Sequence, residues 1–130
     1  MNKNKPAECP FCSLPDGRIL FVRGRAIVFR DEFPISPGHT LVIPGRHVKS
    51  IFELENDERD DLFHALSKAR DELLSELKPD GFNVGINDGL SAGQTVMHLH
   101  VHLIPRFKGD KADPRGGIRW IFPEKAKYWS

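Results

Sequence analysis

The chain lacks the features that mark membrane, secreted and nucleic-acid-binding proteins. No apolar run approaches the roughly 20 residues that a membrane-spanning helix needs. The polar segment Met1 to Pro10 has no apolar signal core, so secretion is not indicated. Nineteen Lys and Arg balance eighteen Asp and Glu, and the net charge of +1 argues against nucleic acid held by bulk charge. We therefore expect a cytoplasmic protein with no membrane or nucleic-acid partner.

Cysteine is scarce, and the two that occur, Cys9 and Cys12, leave three roles open. Residues three apart cannot form a long-range disulfide framework. A Cys-x-x-Cys pair can be a redox couple, although this chain lacks the βαβ context typical of one. The pair can instead be half of a tetrahedral zinc site that needs two further N or S ligands, or it can be two reduced thiols.

The length of 130 residues is that of one domain, and the residue pattern predicts the α+β class. We expect one domain over 1–130, with a core over about 9–106 and a C-terminal arm over about 107–130. Apolar residues at three- and four-residue steps predict one amphipathic helix of about five turns, with Asn56 or Asp57 as N-cap and an end at 78–81. Runs of β-branched and aromatic residues predict an antiparallel sheet of about five strands, over 18–22, 26–29, 40–43, 82–86 and 95–105.

Three of the six histidines alternate along the fifth predicted strand. Because strand side chains alternate between faces, His98, His100 and His102 share one side in steps of about 6.6 Å. The intervening apolar residues point the other way and can join the core. Packing does not require a row of titratable rings, so the row indicates chemistry. Either the imidazoles hold one metal with an open position for water, or one is a nucleophile with proton-handling neighbours.

The segment before this strand distinguishes the two interpretations in part. It offers glycines, Ser91, Gln94 and Thr95, and no carboxylate lies close to the histidines in sequence. Hydroxyl, amide and exposed backbone N–H groups suit a phosphate better than a cation.

The run His-Leu-His-Val-His-Leu-Ile over 98–104 resembles the signature of the histidine triad (HIT) family, in which three histidines alternate with apolar residues. The segment 36–44 is similar to the family's segment ahead of its helix, and 93–96 is similar to its phosphate-side loop. The similarity extends from about Cys9 to Arg106. It implies a HIT fold, a purine nucleotide substrate, and a homodimer formed through residues 54–77 and the edge strand near 82–86.

The resemblance also implies roles for individual residues. His100 would attack the α-phosphorus of a nucleotide and form a nucleotidyl-histidine, which water hydrolyses to a nucleoside monophosphate. His102 would contact the α-phosphate and help protonate the leaving group, and His39 would support the site from behind. Seven residues would contact substrate: Asp31 at the ribose, Asn87, Gly93, Gln94 and Thr95 at the phosphate, and Phe11 and Ile27 at the base.

Some bacterial members of the family resemble this chain in having a cysteine pair completed by two histidines. The matching positions are His47 and His98, so the resemblance implies a structural zinc held by Cys9, Cys12, His47 and His98. His98 would then have no direct part in the chemistry. Few other roles fit the cysteine spacing, which favours zinc over two reduced thiols.

Function within the family stays open between two branches. Histidine at position 102, where uridylyltransferase-like members have glutamine, favours hydrolysis, and the aprataxin-like branch has a zinc finger and basic surface absent here. A phosphoramidase is suggested by the cysteine pair and the length. A dinucleoside polyphosphate hydrolase is suggested by 94–96 and 104–106. A non-catalytic nucleotide-binding regulator and a zinc-dependent hydrolase using the strand histidines are the alternatives from other classes.

The C-terminal arm is expected to reach the active site of a partner subunit and to tune substrate choice. Within it, residues 119–122 suggest a further short strand or a docking tail. Trp120 and Trp129 are its best candidates for a contact.

Overall fold

One antiparallel sheet and one long helix form the framework of the computed structural model, which describes residues 8–130. The expectation for the polar N-terminus falls largely on residues 1–7, which lie outside the described residues. The strands lie in the order β1-β2-β3-β5-β4, which confirms the predicted α+β class. The strands are β1 (Ile19–Arg23), β2 (Ala26–Arg30), β3 (Thr40–Pro44), β4 (Gly81–Gly85) and β5 (Val101–Arg106), and the helices are α1 (Asn56–Leu77) and the short α2 (Pro123–Ala126).

Helix α1 packs its apolar stripe against one face of the sheet. Its N-cap is Glu55, one residue before the predicted caps, because the carboxylate of Glu58 accepts a hydrogen bond from the Glu55 N–H and also binds Arg46. Such a reciprocal arrangement satisfies a backbone donor that a helix start leaves without a partner. No helix among the described residues is long and apolar enough to cross a membrane.

The two faces of the sheet bear separate apolar clusters. Val28 and Val42 belong to the cluster under α1, whereas their neighbours Phe29, Leu41 and Ile43 form a second cluster on the opposite face. Strand β3 is therefore buried on both sides, which explains its continuous apolar run. Helix α1 leaves the second face uncovered, and His39, His100 and His102 lie there.

Strand β5 begins at Val101, whereas the sequence predicted a strand from Thr95. The chain bends at 96–98, and the residues before β5 pair outside the ladder: the Leu99 N–H donates to the Val48 carbonyl, and the His98 carbonyl accepts from a histidine ring. The predicted alternation nevertheless holds across the boundary. Leu99, Val101 and Leu103 are buried in the core under α1.

The C-terminal arm folds into a 3-10 turn over Gly117–Ile121 followed by α2, so the predicted short strand is wrong. Trp120 Nε1 donates to the Arg115 carbonyl at 2.8 Å, and the Arg115 guanidinium lies over the Trp129 ring. Gly116 has φ +100°, and a Cβ there would lie 3.1 Å from Trp120 and 3.2 Å from Trp129. Glycine is therefore required for this turn between the two indoles.

Candidate active site

A cavity of about 1450 Å³ opens on the sheet face opposite α1. All three predicted catalytic histidines line it, together with five of the seven predicted substrate-contact residues: Phe11, Asp31, Asn87, Gly93 and Thr95. Eight of the ten residues predicted for catalysis and substrate contact therefore line one cavity. Gln94 and Ile27 are the exceptions.

His100 is buried, and its ring is oriented by the main chain. Its Nδ1 lies 2.8 Å from the His98 carbonyl oxygen, which can only accept a hydrogen bond. Nδ1 therefore carries the proton, and Nε2 of the neutral ring keeps its lone pair. The Phe11 ring stands edge-on to this imidazole, with centroids 5.2 Å apart. This tautomer is the one that a nitrogen nucleophile requires.

His39 and His102 form a hydrogen-bonded pair beside His100. The Ile35 N–H donates to Nδ1 of His39, so Nε2 of the neutral ring carries the proton. That Nε2 lies 2.9 Å from Nδ1 of His102 and 3.4 Å from the Asp31 carboxylate. Nδ1 of His102 is therefore the acceptor, which leaves Nε2–H of His102 as a donor. The His100 and His102 ring centroids are 5.2 Å apart.

Burial keeps this pair neutral. Desolvation lowers the pKa of His102 to about 4, and the nearby rings of His100 and His39 add to the effect. Desolvation also lowers the pKa of His39, with the Asp31 carboxylate opposing it. At neutral pH His102 is therefore an uncharged N–H donor within reach of a group bound at His100.

Asp31, His39 and His102 lie close enough to share a cation, with their ligand atoms within 4.8 Å. A metal on Nε2 of His39 would require the ring proton to move to Nδ1, where the Ile35 N–H already points. The geometry therefore favours a hydrogen-bonded relay. The strand histidines do not converge on one point either, since Nδ1 of His98 faces the cysteines.

A second cluster joins Cys9, Cys12, His47 and His98. Nε2 of His98 lies 2.8 Å from the Pro44 carbonyl and must donate, so its Nδ1 lone pair faces the two thiols at 3.5 Å. Nδ1 of His47 lies 3.2 Å from Cys12 Sγ and 3.3 Å from His98 Nδ1. Tetrahedral zinc bonds of about 2.0–2.3 Å imply edges of about 3.3–3.8 Å between such atoms. The donor set and its spacing therefore fit zinc.

The segment between β4 and β5 forms one wall of the cavity. Gly93 has φ +93° and lies near Asn87, whose Nδ2 is 3.9 Å from where a Cβ would be, and its N–H donates to the Leu90 carbonyl. Thr95 and Ser91 line the same wall. These groups therefore face the same cavity as His100.

Two residues predicted to contact substrate lie elsewhere. Gln94 is buried, and its side chain accepts from the Gly89 N–H and donates to the Lys49 and Val96 carbonyls. Its amide is therefore occupied in fixing the loop. Ile27 packs in the second apolar cluster behind the cavity. Among the described residues, no buried side-chain nitrogen or oxygen lacks a hydrogen-bond partner.

The C-terminal arm supplies a wall that sequence reasoning missed. Ile118, Trp120, Ile121 and Phe122 line the cavity of their own chain, whereas the arm was expected to reach a partner's site. Three of these apolar side chains are well exposed. The signal available in the sequence was an apolar run within an otherwise polar tail.

A neutral imidazole that keeps its Nε2 lone pair, an N–H donor beside it and a wall with amide and hydroxyl side chains make a site suited to phosphoryl-group chemistry on an α+β fold. The HIT domain family model matches residues 15–109, and the chain belongs to this family of nucleotide-binding hydrolases and transferases.

Two similar relatives have named activities. The bis(5′-nucleosyl)-tetraphosphatase (asymmetrical) of Schizosaccharomyces pombe is 41% identical over 106 residues, covering 81% of this chain and 58% of the relative. The AP-4-A phosphorylase of Mycobacterium tuberculosis is 36% identical over 111 residues, covering 81% and 56%. The chain thus spans little more than half of each.

Two solved structures share the fold. A Streptococcus mutans protein superposes with a TM-score of 0.75 at 35% identity, covering 85% of this chain and 73% of that one. A zinc-bound histidine triad family protein from Mycobacterium smegmatis gives 0.72 at 31% identity, covering 82% and 80%.

Proposed function

We propose that the protein hydrolyses a nucleoside phosphoramidate or a dinucleoside polyphosphate at the α-phosphate, through a covalent nucleotidyl-His100. The observation that carries the proposal is the 2.8 Å contact between His100 Nδ1 and the His98 carbonyl, because it leaves Nε2 as a lone-pair donor facing the cavity wall. Asp31 would hold the ribose, while Asn87, the Gly93 backbone and Thr95 would bind the phosphate.

In the first step, His100 Nε2 forms a bond to the α-phosphorus while the bond from phosphorus to the leaving group breaks. Nε2–H of His102 donates to the departing atom. A polyphosphate leaves as an anion. An amine leaves as a neutral molecule after its nitrogen has gained a proton from solvent, because loss of Nε2–H from the neutral His102 ring would leave a buried imidazolate. The charge gained by the His100 ring is stabilised by the His98 carbonyl.

In the second step, a water oxygen attacks phosphorus and the P–Nε2 bond breaks, with its electron pair returning to His100. One water proton passes to solvent, and His102 keeps its Nε2–H throughout. A nucleoside monophosphate is released, and both rings return to their starting tautomers.

The dinucleoside polyphosphate is the favoured substrate class. A nucleoside monophosphate occupies a few hundred Å³, well below the cavity volume of about 1450 Å³. Two relatives are also named for dinucleoside tetraphosphates. A panel of an adenosine phosphoramidate, an aminoacyl-adenylate mimic, diadenosine triphosphate and diadenosine tetraphosphate, compared by kcat/KM, decides between the branches.

The covalent step is tested by quenching the reaction and measuring the peptide masses by mass spectrometry. We expect one nucleoside monophosphate on the peptide containing His100, with loss of turnover by several orders of magnitude in His100→Ala. Nucleoside monophosphate should still bind to this variant, because the ribose and phosphate contacts lie elsewhere. Full activity in His100→Ala, or a label on His39, would contradict the proposal.

The residues Cys9, Cys12, His47 and His98 would hold the proposed zinc. Bound there, the ion would cross-link the N-terminal segment to the end of β3 and to the segment before β5. Its contribution would be structural, since its ligands point away from His102.

A further inference from the structure

Phe11 connects the cysteine cluster to the nucleophile. It lies between Cys9 and Cys12, whose thiols both face His98. Its ring is half-buried and projects into the cavity, edge-on to His100 at 5.2 Å and to His98 at 6.0 Å. Phe29 supports the opposite side of the ring at 5.3 Å. The segment that bears the thiols thus also bears a side chain in contact with the reacting imidazole.

His98 provides a second connection between the same two places. Its ring belongs to the cysteine cluster and is fixed on the other side by the Pro44 carbonyl. Its own carbonyl accepts the Nδ1–H of His100. Any movement of the His98 ring that carries its backbone along therefore displaces the acceptor on which the His100 tautomer depends.

We infer that Phe11 is a positioning residue, through which the four-residue cluster sets the orientation of the His100 ring. Two contacts restrict that ring, a T-shaped contact with the Phe11 ring and a carbonyl at its Nδ1. The inference rests on the proposed role of His100 as nucleophile. It differs from the base-contact role that the resemblance implies for Phe11, because a base contact would act on substrate binding.

The two roles predict different kinetics for Phe11→Leu, which keeps apolar volume but removes the aromatic edge. A positioning role predicts a kcat lower by about 10- to 100-fold at nearly unchanged KM, because a nucleophile displaced by a fraction of an ångström reacts slowly. A base contact predicts a raised KM at unchanged kcat, which would overturn the inference. Phe21→Leu is the matched control, since Phe21 packs under α1 on the other side of the sheet.

Ring spectra test the same inference without turnover. In the zinc-loaded, ¹⁵N-histidine-labelled chain at one fixed pH above the histidine range, we expect a single His100 tautomer protonated at Nδ1. In Phe11→Leu the His100 signals should broaden or show both tautomers, while cobalt-substituted protein keeps its thiolate absorption. An unchanged His100 spectrum in this variant would overturn the inference.

Stepwise chelation of the wild-type chain covers the case in which Phe11→Leu does not fold. The His100 ring signals should change at the same metal occupancy as those of His47 and His98, before the chain unfolds. His100 ring signals that stay unchanged as the metal is removed would overturn the inference. A wild-type chain with no turnover would contradict the proposed function but not the positioning role of Phe11, because the ring spectra test that role without turnover.

Discussion

Main-chain atoms fix the ring tautomers on which the site depends. The His98 and Pro44 carbonyls accept ring protons from His100 and His98, and the Ile35 N–H donates to His39. A main-chain atom is present whatever the side chain at that position. The side chain at 98 can therefore change without removing the acceptor of the nucleophile, whereas the imidazoles at 39, 100 and 102 have no substitute.

His39 and His102 should affect turnover unequally. His102→Ala removes the proposed N–H donor to the leaving group, and a fall of about 10²–10⁴-fold in kcat is expected. His39→Ala leaves the His102 ring in place but removes the hydrogen bond to its Nδ1. Only the tautomer preference of His102 is lost, so we expect a smaller fall in kcat. Steady-state kinetics measure both, with His64→Ala on the exposed face of α1 as the control. Equal losses in the two variants would contradict this division of roles.

Stability should fall as the pH is lowered from about 6.5 to 4. The pKa of His102 is lowered from 6.5 to about 4 by burial, so in this range the unfolded chain binds a proton that the folded chain does not. The lost stability is on the order of 3 kcal/mol for this residue. Urea unfolding at several pH values measures how steeply the free energy of unfolding falls with pH. This dependence should be weaker in His102→Asn than in the wild type or in His64→Asn. Equal dependences would contradict the shifted pKa.

At the scale of elements, the hydrogen bonds of the Gln94 side chain should stabilise the segment between β4 and β5. Gln94→Ala leaves the Gly89 N–H without its acceptor and removes the donor to two carbonyls, which costs about 2–3 kcal/mol. Gln94→Glu keeps the acceptor but places a carboxylate against the Lys49 and Val96 carbonyls. Both should lower the free energy of unfolding, measured with urea. Ser91→Ala, exposed in the same segment, should not, and a stable Gln94→Ala would show that the loop holds without it.

Local patterns predicted the long helix and the five strands, although β5 begins six residues later than expected and the arm has no strand. A period of two correctly placed Leu99, Val101 and Leu103 in the core, while His100 and His102 line the cavity and His98 faces the cysteines. The helix start was missed by one residue because Glu58 is held by Arg46, which is remote in sequence.

The role of Gln94 could not be predicted from sequence because its partners lie at three separate main-chain positions. Only the folded chain brings Gly89, Lys49 and Val96 together around one amide. The position of the arm against the cavity of its own chain was missed for a related reason. Its apolar residues have no periodicity, so nothing local showed that they lie against the cavity of the same chain.

At the scale of the whole molecule, zinc should be a large part of stability. The cluster joins residue pairs 35 and 89 positions apart, Cys12 to His47 and Cys9 to His98. Purified protein should carry close to one zinc per chain by elemental analysis. Cys9→Ala should lose it and melt about 10 °C earlier or more, whereas Ser13→Ala should do neither. Metal-free wild type of unchanged melting temperature would contradict the site.

Strand β4 should form the centre of the proposed homodimer. It lies at an edge of the sheet, where its unpaired backbone can extend the ladder across a two-fold axis. Val84 on this strand is 52% exposed in the single chain. Light scattering should give twice the chain mass for the wild type and the single mass for Val84→Lys. Val22→Lys on the other edge strand, β1, should leave the dimer intact, and a dimeric Val84→Lys would exclude this interface.

The turn at Gly116 gives the protein an optical reporter of its own site. Both indoles of the chain, Trp120 and Trp129, lie in the arm, and Trp120 lines the cavity. Selective excitation of indole fluorescence therefore samples the arm alone, without a dye or an engineered label. A nucleotide that enters the cavity should change the emission of Trp120, and stopped-flow traces of that change should resolve ligand entry from the chemical step at His100.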